Sequence, residues 1–261
     1  MSGGPLSRIS VAVKKVRYRP GFEVKRSSNL VRIGSEYGGW TFENSEDLLK
    51  STIVSCGLGE DASFDIEFAA KFDAKVVIVD PTPRAIQHFD EIKKRIGLAQ
   101  EYGYVEGGKQ PASSYDLRNL SVGSLVLEPR ALWIEDTKLR FFLPANPEHV
   151  SHSIVNYQNN YSEKTPFIEV PTITLEDLIA KYDLKYLPLM KLDIEGAEIS
   201  VVRHMLANSI RPRQLLMEFD QMNFPSARSK ANVLATDALL KGAGYECRFF
   251  DGRANVLYVL R

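Results

Sequence analysis

Short apolar runs alternate with amphipathic stretches over most of the chain. Runs suited to strands fall at 52–56, 76–80, 103–106, 123–127, 187–193, 213–219, 245–250 and 255–260. Between them, spacing of apolar residues at three to four predicts helices at 62–72, 83–97, 174–182, 195–207 and 229–243. Pro83 suits a helix start, and Gly242 with Gly244 a helix stop. A short amphipathic helix is predicted from Glu43 to Lys50, with Asn44 or Ser45 as its cap. Alternation of this kind predicts an α/β fold built on a mostly parallel, doubly wound sheet. The last two runs, YECRFF and ANVLYVL, are separated by DGR, which predicts a C-terminal antiparallel hairpin.

The ends and the middle depart from this rhythm. Residues 1–48 read as an N-terminal arm and helix packing on a core domain of 49–261. Val11, Val13 and Val16 lie among lysines and arginines, the pattern of an edge strand or arm. The cations Lys14, Lys15, Arg17 and Arg19 read as a solvated face. GSEYGGW, from Gly34 to Trp40, reads as a glycine–aromatic turn. A polar insertion occupies roughly 131–168, with a β-type KLRFFLP segment followed by SHSIVNYQNNYSE. Polar insertions in α/β domains often serve as substrate loops.

Composition narrows the classes of function. The 261 residues carry 33 basic and 33 acidic side chains, so bulk charge offers no attraction to nucleic acid or to an anionic membrane. No run approaches the ~20 apolar residues that span a bilayer. The start, MSGGPLSRIS, lacks the apolar segment of a secretory signal. Cys56 and Cys247 make neither a disulfide framework nor a zinc spacing. Both lie in apolar contexts, which predicts buried free thiols and a cytoplasmic protein. A homo-oligomer is left open.

The stretch TIVSCGLGED, Thr52 to Asp61, carries the first chemical signal. An apolar strand enters a turn at Gly57 and Gly59, and a helix follows. Strand, glycine turn and helix bring bare backbone up to a nucleotide-like ligand. Asp80 ends the next apolar run about twenty residues on, where such domains place a ribose-binding carboxylate. Glu60 and Asp61 stand where a pyrophosphate would meet the helix N-terminus. Like charges about 4 Å apart repel by about 4 kcal/mol at an effective dielectric constant of about 20. A ligand with an adenosine, no phosphate and a positive sulfonium fits better, and S-adenosylmethionine is such a ligand. Read without a ligand, the same stretch is a tight strand–helix turn.

The second signal is LPLMKLDIEGAE, Leu187 to Glu198. Lys191, Asp193, Glu195 and Glu198 arrive together at a strand–helix junction. Alternation puts Lys191 and Asp193 on one side and Leu192 and Ile194 on the other. Ligands of open α/β sheets sit beyond such carboxyl ends. Acids at a helix start also cap free N–H groups, worth about 1 kcal/mol, and that is the alternative role for Asp193 and, more so, Glu198. Glu218 and Asp220 end the next strand and face the same cleft if the strands are neighbours. Tyr37 and Trp40 could wall a ligand or pack locally. His152 lies in the polar insertion as a candidate base or a loop residue.

These motifs resemble those of FkbM-type methyltransferases, which use S-adenosylmethionine. KLDIEGAE resembles the family's K-x-D-x-E-G-x-E signature, and VPTITLEDL its V-x-T-x-T-L-D-x-L lead-in. RALWIEDTKLRFF resembles its A-x-x-x-x-x-G-x-x-x-F segment, with Thr137 or Lys138 in place of the glycine. SCGLGEDASF is a variant of its D-x-G-A-x-x-G loop, departing at Cys56, Glu60 and Asp61. Asp80 and Pro81 match its E/D-P step. A closing antiparallel hairpin is also typical of the methyltransferase variant of the Rossmann-like fold.

The resemblance implies methyl transfer from S-adenosylmethionine, usually to a hydroxyl of a sugar or small molecule, so the expected partner is a small-molecule or glycan acceptor. It implies cofactor contacts at Gly57 and Gly59, ribose binding by Asp80, and Ala131 with Leu132 at the adenine; Cys56 and Asp61, which flank the glycines in the same turn, are expected at the cofactor too. Lys191, Asp193 and Glu195 fall at the reacting end, with His152, Glu218, Tyr37 and Trp40 on the substrate side. No resident metal is expected; a cation held by Asp193, Glu195, Glu218 and Asp220 is the weaker alternative. Two other classes stay open. A nicotinamide (NAD) oxidoreductase is opposed by the acidic turn and the hairpin. A non-catalytic cofactor-binding scaffold is kept open by Cys56 and the altered loop.

Overall fold

A computed structural model describes residues 17–142 and 165–261 of the chain. Its strands are β1 (Leu30–Ile33), β2 (Trp40–Glu43), β3 (Thr52–Cys56), β4 (Lys75–Val79), β5 (Leu125–Glu128), β6 (Ala131–Leu132), β7 (Lys138–Phe142), β8 (Phe167–Ile173), β9 (Leu189–Leu192), β10 (Gln214–Glu218), β11 (Tyr245–Phe250) and β12 (Asn255–Leu260). Its helices are α1 (Ser63–Phe72), α2 (Pro83–Lys93), α3 (Leu175–Tyr182), α4 (Glu198–Ala207) and α5 (Ala227–Gly242).

Seven strands form one sheet in the order β11-β12-β10-β9-β3-β4-β5. From β10 to β5 the neighbours run parallel. The C-terminal hairpin is present, but its second strand inserts between β10 and β11 and is antiparallel to both. Strand order reverses between β3 and β9, because β4 and β5 extend one way and β10 the other. That reversal opens a crevice beyond the carboxyl ends of β3 and β9.

Alternation along the strands builds two core layers. Ile53, Val76 and Ile78 pack with Phe64, Phe68 and Phe72 of α1 and with Phe89 of α2. Val54, Val77 and Val79 pack on the other face with α3, α4 and α5. Helix starts follow from local chemistry. Thr82 and Thr174 accept from the N–H groups of Ala85 and Asp177, and Pro83 fills the first turn of α2. Among the described residues no helix is long and apolar enough to cross a membrane. Both cysteines are buried and free.

Several expected elements differ. Residues 103–106 form no strand. Glycines bracket them, and their backbone bonds run to the Gln110 amide instead: Val105 N–H donates to Oε1 at 2.9 Å, and Nε2 donates to Val105 C=O at 2.8 Å. The helix expected over Glu43–Lys50 is one 3-10 turn, Glu46–Leu48, cut short where Lys50 takes φ +54°. The second helix stops at Lys93 rather than 97. GSEYGGW joins a hairpin, β1 to β2, which packs Phe42 against Phe64 and Phe68. A small sheet, β6-β8-β7, was also not expected. Val11, Val13, Val16 and His152 lie outside the described residues.

Candidate active site at the carboxyl ends of β3 and β9

Beyond the two strand ends lies a cleft of 1480 Å³. Ligand pockets commonly hold about 300–1,000 Å³, so this one has room for a cofactor and a second molecule. Its walls include Gly57, Gly59, Asp61 and Asp80 on one side and Lys191, Asp193, Glu195 and Glu218 on the other. Tyr37, Trp40, Ala131 and Leu132 line it as well. Cys56 is the exception: its side chain is fully buried in the apolar core, and burial pushes its thiol well up. Only its backbone takes part, as Cys56 C=O accepts the Asp193 N–H at 3.2 Å.

The glycine turn after β3 is shaped by close approach. Gly57 has φ +88°, and a Cβ there would lie 1.9 Å from Asp193 C=O. Only glycine lets the two strand ends meet so closely. Asp80, 6% exposed, then holds the turn. Its Oδ2 accepts from Leu58 N–H at 2.9 Å and Gly59 N–H at 3.0 Å. Its Oδ1 accepts from Thr82 N–H at 2.8 Å and Thr82 Oγ1 at 2.7 Å. Those four bonds use the acceptor positions of a carboxylate. A ribose diol could reach Asp80 only in exchange for one of them.

The two acids of the turn are also engaged. Asp61 accepts from Ser63 N–H at 2.9 Å and Ser35 Oγ at 2.6 Å, which ties the Gly34–Trp40 turn to the start of α1. Glu60 Oε2 lies 3.6 Å from Arg84 and 3.9 Å from Lys109. The repulsion expected of an anion here is therefore blunted by two cations that the local sequence does not reveal.

The opposite wall is organised differently. Lys191 is 4% exposed and lies 5.5 Å above the Trp40 ring. Its Nζ donates to Gly57 C=O and stands 4.0 Å from Asp193 Oδ2. It thus sits beneath the cleft floor, binding the β3 turn to the β9 turn. Leu192 packs in the core on the far side, as alternation predicted, whereas Ile194 lies past the strand end and lines the cleft as well as touching the core. Glu195 and Gly196 both take positive φ, +51° and +100°, where the chain turns into α4. Glu198 is fully buried and accepts from Ile194 and Gly196 N–H at 3.1 Å, so it caps the turn. Burial drives its pKa well above the ordinary carboxylate range, against the pull of those bonds.

Asp193 and Glu218 share the remaining wall. Burial raises both, and Asp193 and Glu195 raise Glu218 further, while Lys191 pulls Asp193 back down. Asn223 Nδ2 donates to Glu218 Oε1 at 3.1 Å. Among the described residues no group of three or more His, Cys, Asp or Glu is arranged to hold a metal ion.

Sequence reasoning missed three contributors. The Tyr104–Lys109 loop lines the cleft and packs Gly108 against the Tyr37 ring. Leu139 and Phe141 of β7 line it too, and alternation within KLRFF is the signal that marks them. Buried Glu128 binds Arg130 and Lys181, each at 2.7 Å, and so fixes the turn delivering Ala131 and Leu132 to the cleft. Burial pushes the Glu128 pKa up, but those two cations win and hold it below the usual range.

A glycine turn, a switch-point cleft and an acidic wall on this sheet order define a Rossmann-like methyltransferase fold. The profile of the Methyltransferase FkbM domain matches residues 29–247, and the chain belongs to that family of methyltransferases. A comparison with curated proteins gives no match.

Proposed function

We propose that the protein uses S-adenosylmethionine to methylate a hydroxyl group on a sugar or other small molecule. The observation that carries this reading is the meeting, in one cleft, of the Gly57–Gly59 turn with the carboxyl groups at the ends of β9 and β10. The residues suit the cofactor. A positive sulfonium and an ammonium match the acidic wall of Asp193, Glu195, Glu218 and Asp220, and Ala131 with Leu132 offers an apolar seat for a base. When bound, S-adenosylmethionine supplies a methyl group already activated on sulfur. The chain must then align the acceptor oxygen, exclude water and take a proton. Alignment can contribute about 7–11 kcal/mol, and a positioned base about 10²–10⁴-fold.

Asp193 is the base in this reading. Its side chain is 31% exposed, so it reaches the cleft. Lys191 lies 4.0 Å from it and also donates to the backbone carbonyls of Cys56 and Gly57, so its role in this reading is to hold the site together. Two buried free thiols suit a reducing, cytoplasmic setting. The test is calorimetric titration with S-adenosylmethionine and, separately, NAD, followed by an acceptor screen of sugars and hydroxylated small molecules. Micromolar binding of the first alone, with methylated product, is expected. Binding of NAD alone overturns the reading in favour of an oxidoreductase.

A further inference from the structure

We infer that Glu218 is the proton-holding partner of Asp193: the two carboxyl groups share one proton across neighbouring strand ends, which leaves Asp193 as the base. The register of β9 and β10 sets this up. Leu216 stands opposite Lys191 and Met217 opposite Leu192, so Glu218 and Asp193 leave the sheet abreast. The two acids stand at adjacent strand ends, with Lys191 as the cation beside Asp193. Two carboxylates held side by side repel each other, and one proton held between them relieves that repulsion.

The surroundings decide which. Lys191 lies 4.0 Å from Asp193 Oδ2 and favours its anion. Glu218 faces Glu195 and Glu198 as well as Asp193, and has only the neutral Asn223 amide as donor on its other side. Asp80, Asp220 and Tyr37 also face the pair. The proton therefore rests on Glu218. A separate observation marks a further acidic group of the same cleft. Asp220 is 3% exposed and lines the cleft, and its Oδ2 has no hydrogen-bond partner. That oxygen is placed to accept from a donor group of an incoming molecule.

The inference rests on the proposed methyl transfer. As the acceptor O–H bond breaks, its proton passes to Asp193 and Glu218 keeps its own. Glu218 is thus a positioning residue: it neutralises one charge of the pair and points its O–H at Asp193. Such a pair releases its protons in two steps that belong to both groups.

The experiment follows the unfolding midpoint against pH for the wild type, Glu218→Gln and Asp193→Asn. The pair's last proton leaves the folded protein at a pH above that of a free carboxyl. The stability it contributes is therefore complete in acid and lost as pH rises. Either variant reduces that loss, because it removes the repulsion between the two carboxyls while burial still raises the one that remains. The variant's curve should separate from the wild type by about 2–4 °C as pH rises beyond the ordinary carboxylate range. In turnover, Glu218→Gln should abolish the alkaline limb of the pH profile and leave a single acidic limb. Parallel curves for wild type and both variants would overturn the inference even if S-adenosylmethionine binds. Separating curves in a protein that binds no S-adenosylmethionine would leave the shared proton standing and sink the methyltransfer reading. If one variant fails to fold, the other carries the same test, since each leaves a single carboxyl.

Discussion

Two strand–turn–helix junctions face each other across the cleft, and both are rich in acids. After β3, every acid has a partner. Asp80 accepts four hydrogen bonds, Asp61 accepts two, and Glu60 lies between Arg84 and Lys109. After β9, only Glu198 is spent on capping. Asp193 and Glu218 stand at adjacent strand ends near Lys191. The first junction uses carboxylates to shape backbone. The second sets two of them side by side in competition for a proton, which is the condition under which a carboxyl group does acid–base work. The same residue types at the same kind of turn thus serve different ends, and the supply of donors decides which.

The contrast can be broken by four substitutions. Asp193→Asn should have the largest effect, lowering turnover about 10²–10⁴-fold while S-adenosylmethionine affinity stays near that of the wild type. Full turnover in that variant would put the base elsewhere. Asp80→Asn should act on structure instead. An amide NH₂ would face backbone donors, costing about 1–3 kcal/mol in urea unfolding and weakening cofactor binding along with it. A variant that loses cofactor affinity at full stability would return Asp80 to a ribose contact.

A third substitution lies beneath the junctions. Asp65 of α1 is buried, and burial pushes it up to about 6, with Lys191 opposing. A raised carboxyl contributes stability at pH below about 4 that is lost as pH rises through about 6. Asp65→Asn should therefore gain on the wild type by about 1–2 kcal/mol between pH 5 and 7.5, measured by denaturant titration at each pH. The smallest effect belongs to Glu60→Gln. The carboxylate is 26% exposed and its ion pairs are long, so the loss should stay within about 1 kcal/mol. A larger loss would mean that the turn depends on that charge.

How far these features could be read in advance varied with distance along the chain. The strands at 52–56 and 76–80 were plain because each is buried on both faces and reads as an unbroken apolar run. β8 was not, because it alternates, contains Pro171 and is partly exposed. The segment at 103–106 looked like a strand from Tyr104 and Val105, yet one glutamine side chain took the bonds a neighbouring strand would have made. In the site, the sequence placed Asp193 and Glu218 at successive strand ends, and the pairing of β9 with β10 made them neighbours. The ion pairs of Glu60 could not be read there, since Arg84 reaches it from the start of α2 and Lys109 from a distant loop. Nor could the saturation of Asp80, which depends on how a glycine turn folds back over it.

Placing β12 between β10 and β11 has a consequence for how the protein is made. Synthesis runs from the amino end, so β10 leaves the ribosome well before residues 255–260. Until they arrive, β10 is an open edge, and the wall bearing Glu218 has nothing to its outer side. The acidic half of the cleft is therefore the last part of this sheet to be finished during translation, long after the β3 turn can form.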